Sequence, residues 1–147
     1  MVKDVCITIK SIQMAEGDED TTELFTYGKF APLSNGNGYR VTYEESEATG
    51  FEGSDVTLDI TPDVVKMLRS GKAYSSLIIE KGKKHHCHYG TEYGDFMIGI
   101  SADEIKSNVD DNGGDLYLKY TIDVNSGLLS ENEMFINIKE CENAVMQ

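Results

Sequence analysis

Apolar and polar residues alternate along most of this chain with a period near two. Val5, Ile7 and Ile9 share one face of the first run, and Cys6, Thr8 and Lys10 share the other. Later, Leu116, Leu118, Tyr120, Ile122 and Val124 oppose Tyr117, Lys119, Thr121 and Asp123, and Met134, Ile136 and Ile138 oppose Phe135, Asn137 and Lys139. Shorter runs carry Phe25 and Tyr27; Tyr39, Val41 and Tyr43; Val56, Leu58 and Ile60; and Phe96, Ile98 and Ile100. A period of two is that of a half-buried strand, whose successive side chains point to opposite faces. Turn residues punctuate the runs, among them SNGNG at 34–38, SGK at 70–72, KGKK at 81–84 and NGG at 112–114. Strands at regular spacing with turn chemistry between them predict an all-β fold. One apolar and one polar face on about ten consecutive strands predicts an antiparallel meander. Closing it into a single up-and-down barrel of about eight to ten strands removes the open edges.

Two stretches resist the pattern. Residues 16–20 read as an acidic loop. Over 64–69, Val65 and Met67 share a face with Arg69, while Val64, Lys66 and Leu68 form a rival face, and a single helical turn after Pro62 is an alternative. Parity also places Glu45 on the same face as Val41 and Tyr43. If both parities hold, Glu45 and Arg69 face inward, where charges survive only when paired or bound to something charged.

The 147 residues fit one domain spanning 1–147, large enough to bury a core without cross-links. Three cysteines, an odd number with no CxxC spacing, argue against a disulfide framework and for a reducing, cytoplasmic setting. The N-terminal MVKDVCITIK has charges where a signal peptide needs an apolar stretch. A formal charge of −13 disfavours nucleic acid and anionic membrane as partners.

Candidate chemistry is sparse. His85, His86, Cys87 and His88 contain a His-x-His spacing, but all three histidines of the chain are here and zinc needs further ligands. On a strand, Cys87 and Tyr89 turn inward and His86 and His88 meet water. Asn108, Asp110, Asn112 and Gly113 imitate a calcium loop, but position one is Asn108, position twelve is Lys119, and the flanks read as strands, so this is a hairpin turn. No GxSxG and no Gly-rich phosphate cradle is present. No metal and no cofactor is expected.

The runs YEESEATGFEG at 43–53, EKGKKHHCHYGTEYG at 80–94 and LYLKYTIDVNSGLLSENE at 116–133 resemble the YwiB-like family of uncharacterised bacterial proteins. The order and spacing match over almost the whole chain, with Glu92 where the family usually carries proline. The resemblance implies a calycin-like, lipocalin-related barrel and supplies no activity and no functional residues.

These readings converge on a non-enzymatic module that holds a small, partly apolar ligand, with Tyr43, Glu45, Arg69, Cys87 and Tyr89 as its expected lining. Arg69 would favour a carboxylate or phosphate on that ligand. The alternative is a protein–protein adaptor acting through the acidic segments 16–23 and 44–52, and an enzyme ranks last. The sequence carries no signal for oligomeric state.

Overall fold

The computed structural model describes residues 2–34, 36–45, 53–71, 74–91, 94–124 and 127–141, and for 89–91 and 94–96 the backbone alone. Ten strands occupy them: β1 (Lys3–Ala15), β2 (Asp18–Pro32), β3 (Tyr39–Glu44), β4 (Ser54–Ile60), β5 (Val64–Gly71), β6 (Ser75–Glu80), β7 (Lys84–Thr91), β8 (Gly94–Asp110), β9 (Gly113–Val124) and β10 (Gly127–Glu140). Each pairs antiparallel with the next, and β1 pairs with β10, so the sheet closes into one barrel. Among the described residues no helix is long and apolar enough to cross a membrane.

The alternation decides what lies inside. Val5, Ile7, Val41, Leu58, Ile79, Ile100, Leu116, Leu118, Ile136 and Ile138 are fully buried and fill the middle of the barrel. Each such side chain contributes roughly 1.5–3 kcal/mol of burial. Val65, Met67 and Arg69 face inward, and 64–71 is strand throughout. No helical turn forms after Pro62, because Met67 pairs with both Leu58 and Leu77 and the ladder takes up the backbone groups that a turn would have used.

Four features depart from the sequence pattern. The acidic loop at 16–20 is a two-residue turn, Glu16 and Gly17 with φ of 53° and 83°, after which β2 has already begun. A φ above zero at both central positions is the geometry of a tight hairpin turn that follows the twist of its strands. Among the described residues, β2 meets β3 over 28–32, and 18–27 pair with β1. Asp18, Glu19, Asp20 and Glu23 lie on this part of β2.

Secondly, the exposed faces of β2 carry Phe25 and Tyr27, packed edge to face, while Leu24 and Phe30 point inward. Gly28 keeps the inward parity: a Cβ there would lie 2.7 Å from the Ile7 side chain and 2.2 Å from the Thr42 carbonyl oxygen. Thirdly, β8 continues to Asp110 through a bulge between Ala102 and Glu104. The extra residue reverses the parity, so Ile98, Ile100 and Ala102 are buried before it and Ile105 and Val109 pack on the core after it. That reversal hides the second half of the strand from a period-two reading. Fourthly, Cys6 and Cys141 meet on the outer face with their Sγ atoms 2.9 Å apart, although both are free thiols. An odd cysteine count says nothing about which two lie on adjacent strands.

Candidate functional site

The barrel is packed through its middle, and the cavity that gathers expected site residues lies towards one end. That end carries the β1–β2, β3–β4, β5–β6, β7–β8 and β9–β10 connections. A cavity of about 220 Å³ lies there, with Leu24, Tyr43, Met67, Leu77, Tyr120 and Ile122 in its wall and Glu45, Arg69 and Asn132 among its polar lining. The volume corresponds to roughly seven waters at about 30 Å³ each.

Each polar group is set by its strand. Glu45 follows β3, and its N–H donates to the Ser54 carbonyl at 2.8 Å, which carries the inward parity of Val41 and Tyr43 one step past the strand. Arg69 lies on β5 directly opposite Ser75 of β6. Its Nη1 donates to Ser75 Oγ at 3.1 Å and its Nη2 to Glu45 Oε1 at 3.1 Å. The two charged side chains are 10% and 2% exposed, Arg69 and Glu45 respectively, so the pair is buried. The second carboxylate oxygen, Glu45 Oε2, is buried without a hydrogen-bond partner. Burial, then the nearby Glu45 carboxylate, pushes the Tyr43 phenol far above its ordinary range, with Arg69 opposing. Tyr43 is therefore a neutral donor at any physiological pH. On β10, Asn132 Nδ2 donates to Ser130 Oγ at 3.0 Å, both side chains buried.

Tyr43, Glu45 and Arg69 thus come together as expected. Cys87 does not line this cavity. It is buried in the core, where its Sγ accepts from the Ile78 N–H at 3.3 Å and burial pushes its thiol up. The backbone of Tyr89 pairs with Ser75 and Phe96, and its side chain lies outside the described residues. The acidic segment 46–52 also lies outside them. His86 and His88 are exposed, and His85 Nε2 sits 2.9 Å from Glu80 Oε1, an interaction that lowers the Glu80 pKa. The imitation calcium loop is the β8–β9 turn, where the Asn112 N–H donates to Asp110 Oδ1 at 2.9 Å.

The sequence profile of DUF1934, a domain of unknown function, matches residues 7–136. The chain belongs to this family. This DUF1934 barrel is similar to the crystal structure of the YwiB protein from Bacillus subtilis, with a TM-score of 0.83 over 96% of this chain and 94% of that one. The two sequences are 18% identical, so the likeness carries the fold alone. No curated protein matches the chain in sequence.

The lining of the DUF1934 barrel also includes residues that the sequence did not single out. Asn132 could have been found by extending the Met134–Ile136–Ile138 parity backwards, which also leads to Ser130, the buried hydroxyl it donates to. Tyr120 was legible as inward but not as a neighbour of Tyr43, because β9 and β3 are far apart in the chain. A second concavity of about 380 Å³ lies on the outer face, lined by Thr8, Lys10, Lys106, Tyr117 and Phe135 among others. Tyr117 and Phe135 pack against each other there with ring centres 4.9 Å apart.

Proposed function

We propose that this chain is a non-enzymatic, cytoplasmic binding module that holds a small, partly apolar ligand in the mouth of its barrel, in the manner of calycin-like proteins. One observation carries the reading: a cavity whose lining mixes apolar side chains such as Leu24, Met67 and Leu77 with polar ones contains the buried Arg69–Glu45 pair. Ligand pockets combine apolar surface with placed polar groups that fix the ligand's orientation. A non-enzymatic role is supported by the Cys87 thiol, which is buried with its pKa raised, the opposite of what activates a nucleophile. The surface charge of −13 supports a partner other than nucleic acid or anionic lipid. Native mass spectrometry of the protein purified from its own host tests the proposal. A discrete adduct is expected, released on unfolding and absent from a folded Leu24→Trp variant whose indole fills the mouth. An adduct that survives Leu24→Trp unchanged, or a host protein that carries none, counts against it.

The adaptor reading keeps one observation in its favour. Phe25, Tyr27 and Phe135 are exposed on the outer face, more aromatic surface than solubility asks for. Phe135→Ser would then remove a protein partner while leaving any mouth ligand in place.

A further inference from the structure

We infer that Cys6 and Cys141 form a reversible oxidation site on the outer face of the barrel, where a hydroperoxide joins them, Cys6 attacking and Cys141 resolving. The site lies at the end of β1 away from the mouth, and it does not depend on a ligand there. The ring of strands closes where β1 meets β10, and the two cysteines stand on that junction from opposite ends of the sequence. Cys6 lies opposite Lys139. Cys141 follows β10, and its N–H donates to the Asp4 carbonyl at 3.1 Å. The two are therefore diagonal neighbours across the seam, with their Sγ atoms 2.9 Å apart. The sulfurs must approach by about 0.9 Å more to reach the roughly 2.05 Å of a disulfide. Cys141 lies past the end of its strand, where a small adjustment disturbs little of the ladder.

Redox-sensing cysteines are accessible and stand beside a second thiol that resolves the first. Both thiols here are free and half-buried, open to a small oxidant, whereas Cys87 is buried in the core. The neighbours divide the roles. The hydrogen bond with Cys6, burial and the Asp4 carboxylate all hold the proton on Cys141, although Lys29 bridges Asp4. Lys139 brings a positive charge opposite Cys6 on β10, and the neutral Tyr27 lies opposite it on β2. In the first step the Cys6 sulfur attacks one peroxide oxygen and the O–O bond breaks. Cys6 becomes a sulfenic acid, and the other oxygen leaves as water with the Cys6 proton. In the second, the Cys141 sulfur attacks the Cys6 sulfur, the S–S bond forms, the S–O bond breaks and a second water leaves. Two thiols and one peroxide thus give one disulfide and two waters, and a thiol reductant reverses it. In a reducing cytoplasm such a bond is transient and acts as a sensor.

The test treats the folded protein with hydrogen peroxide at neutral pH, with and without dimedone, which captures sulfenic acids. The parent should lose two hydrogens, give a peptide linking Cys6 to Cys141, and recover its mass in dithiothreitol, while Cys87 stays a thiol. Cys141→Ser should stop at the sulfenic acid, with dimedone found on Cys6. Cys6→Ser should form no disulfide and carry no dimedone on Cys141. Both substitutions are on the outer face and leave the core intact. Dimedone on Cys141 in Cys6→Ser as fast as on Cys6 in Cys141→Ser would overturn the division of roles. A parent protein whose Cys6 gains two oxygens without forming the bond would show that Cys141 does not resolve it. A disulfide to Cys87, a bond between two copies, or thiols that all survive the peroxide would overturn the site itself. None of these outcomes bears on the adduct expected at the mouth.

Discussion

Glu45 and Arg69 concentrate the energetics of this barrel in two side chains. Burying them separates both charges from water, a cost that their mutual attraction and the Ser75 hydrogen bond offset only in part. Removing one partner is therefore far worse than removing both. At 2% exposure, the Glu45 carboxylate depends on Arg69 for its charge partner. Arg69→Met should destabilise the protein by about 3–5 kcal/mol. In Glu45→Gln/Arg69→Met much of that loss should be recovered, since no charge is left buried. Urea unfolding of the two variants against the parent checks this. Equal losses in both would mean that the pair is held for its shape and not its charge.

At the scale of the strand, the outward and inward faces of β9 set very different penalties on neighbouring residues. Leu118 is fully buried and Lys119 is exposed. Leu118→Asp should unfold the barrel, because an unpaired buried charge is among the few single changes that cost more than about 4 kcal/mol. Lys119→Ser should stay within about 1 kcal/mol of the parent. Lys119→Asp is a harsher change than exposure alone suggests. Lys119 lies between Glu133 of β10 and Glu104 of β8, and a third acid there adds like-charge repulsion of about 0.2–1 kcal/mol per pair. Circular dichroism and thermal melting of the three variants should rank them Lys119→Ser, Lys119→Asp, Leu118→Asp. Any other order would mean that the register of β9 is different.

For the whole molecule, the decisive contact is the seam at which the first strand meets the last. β1 and β10 pair from Val5 opposite Glu140 to Met14 opposite Glu131, and the Cys141 N–H then donates to the Asp4 carbonyl at 3.1 Å. Cys6 and Cys141 face each other across this seam, so one bond between them would join the two ends of the fold. The hydrogen bond between the thiols, then burial, pushes Cys141 up to about 11, which keeps it protonated and slow to react. Oxidised glutathione at alkaline pH should convert the pair. One thiolate attacks the reagent's disulfide, the second thiol displaces the mixed disulfide, and two glutathione thiols leave. The intact mass should fall by two hydrogens, and stability should rise by about 2–4 kcal/mol. Cys6→Ser should show neither change. A disulfide that formed without raising the melting temperature would mean that the seam is distorted by closing it.

Alternation alone determined most of the architecture, because a half-buried strand admits no other pattern. Val41, Leu58, Leu118 and Ile138 were legible as core from their spacing, and the inward parity of Glu45 and Arg69 was legible from the same rule. The family resemblance pointed to the barrel as well, and the likeness to the YwiB crystal structure agrees on the fold. What the pattern could not carry were events that break the period or join distant strands. The bulge at Ala102–Glu104 resets the parity of β8 by one residue, and the Glu16–Gly17 turn places acids on a strand instead of in a loop. Phe25 and Tyr27 face outward because Gly28 and Leu24 hold the inward positions, a choice made by the close packing of Gly28 against Ile7 and Thr42. The meeting of Tyr43 with Tyr120, and of Cys6 with Cys141, required the ring to close. Local side-chain period belongs to one strand and is written in its residues. Which strands surround a cavity, and which charge within it is left unsatisfied, depends on registers summed around the whole barrel, and only the tertiary structure decides that.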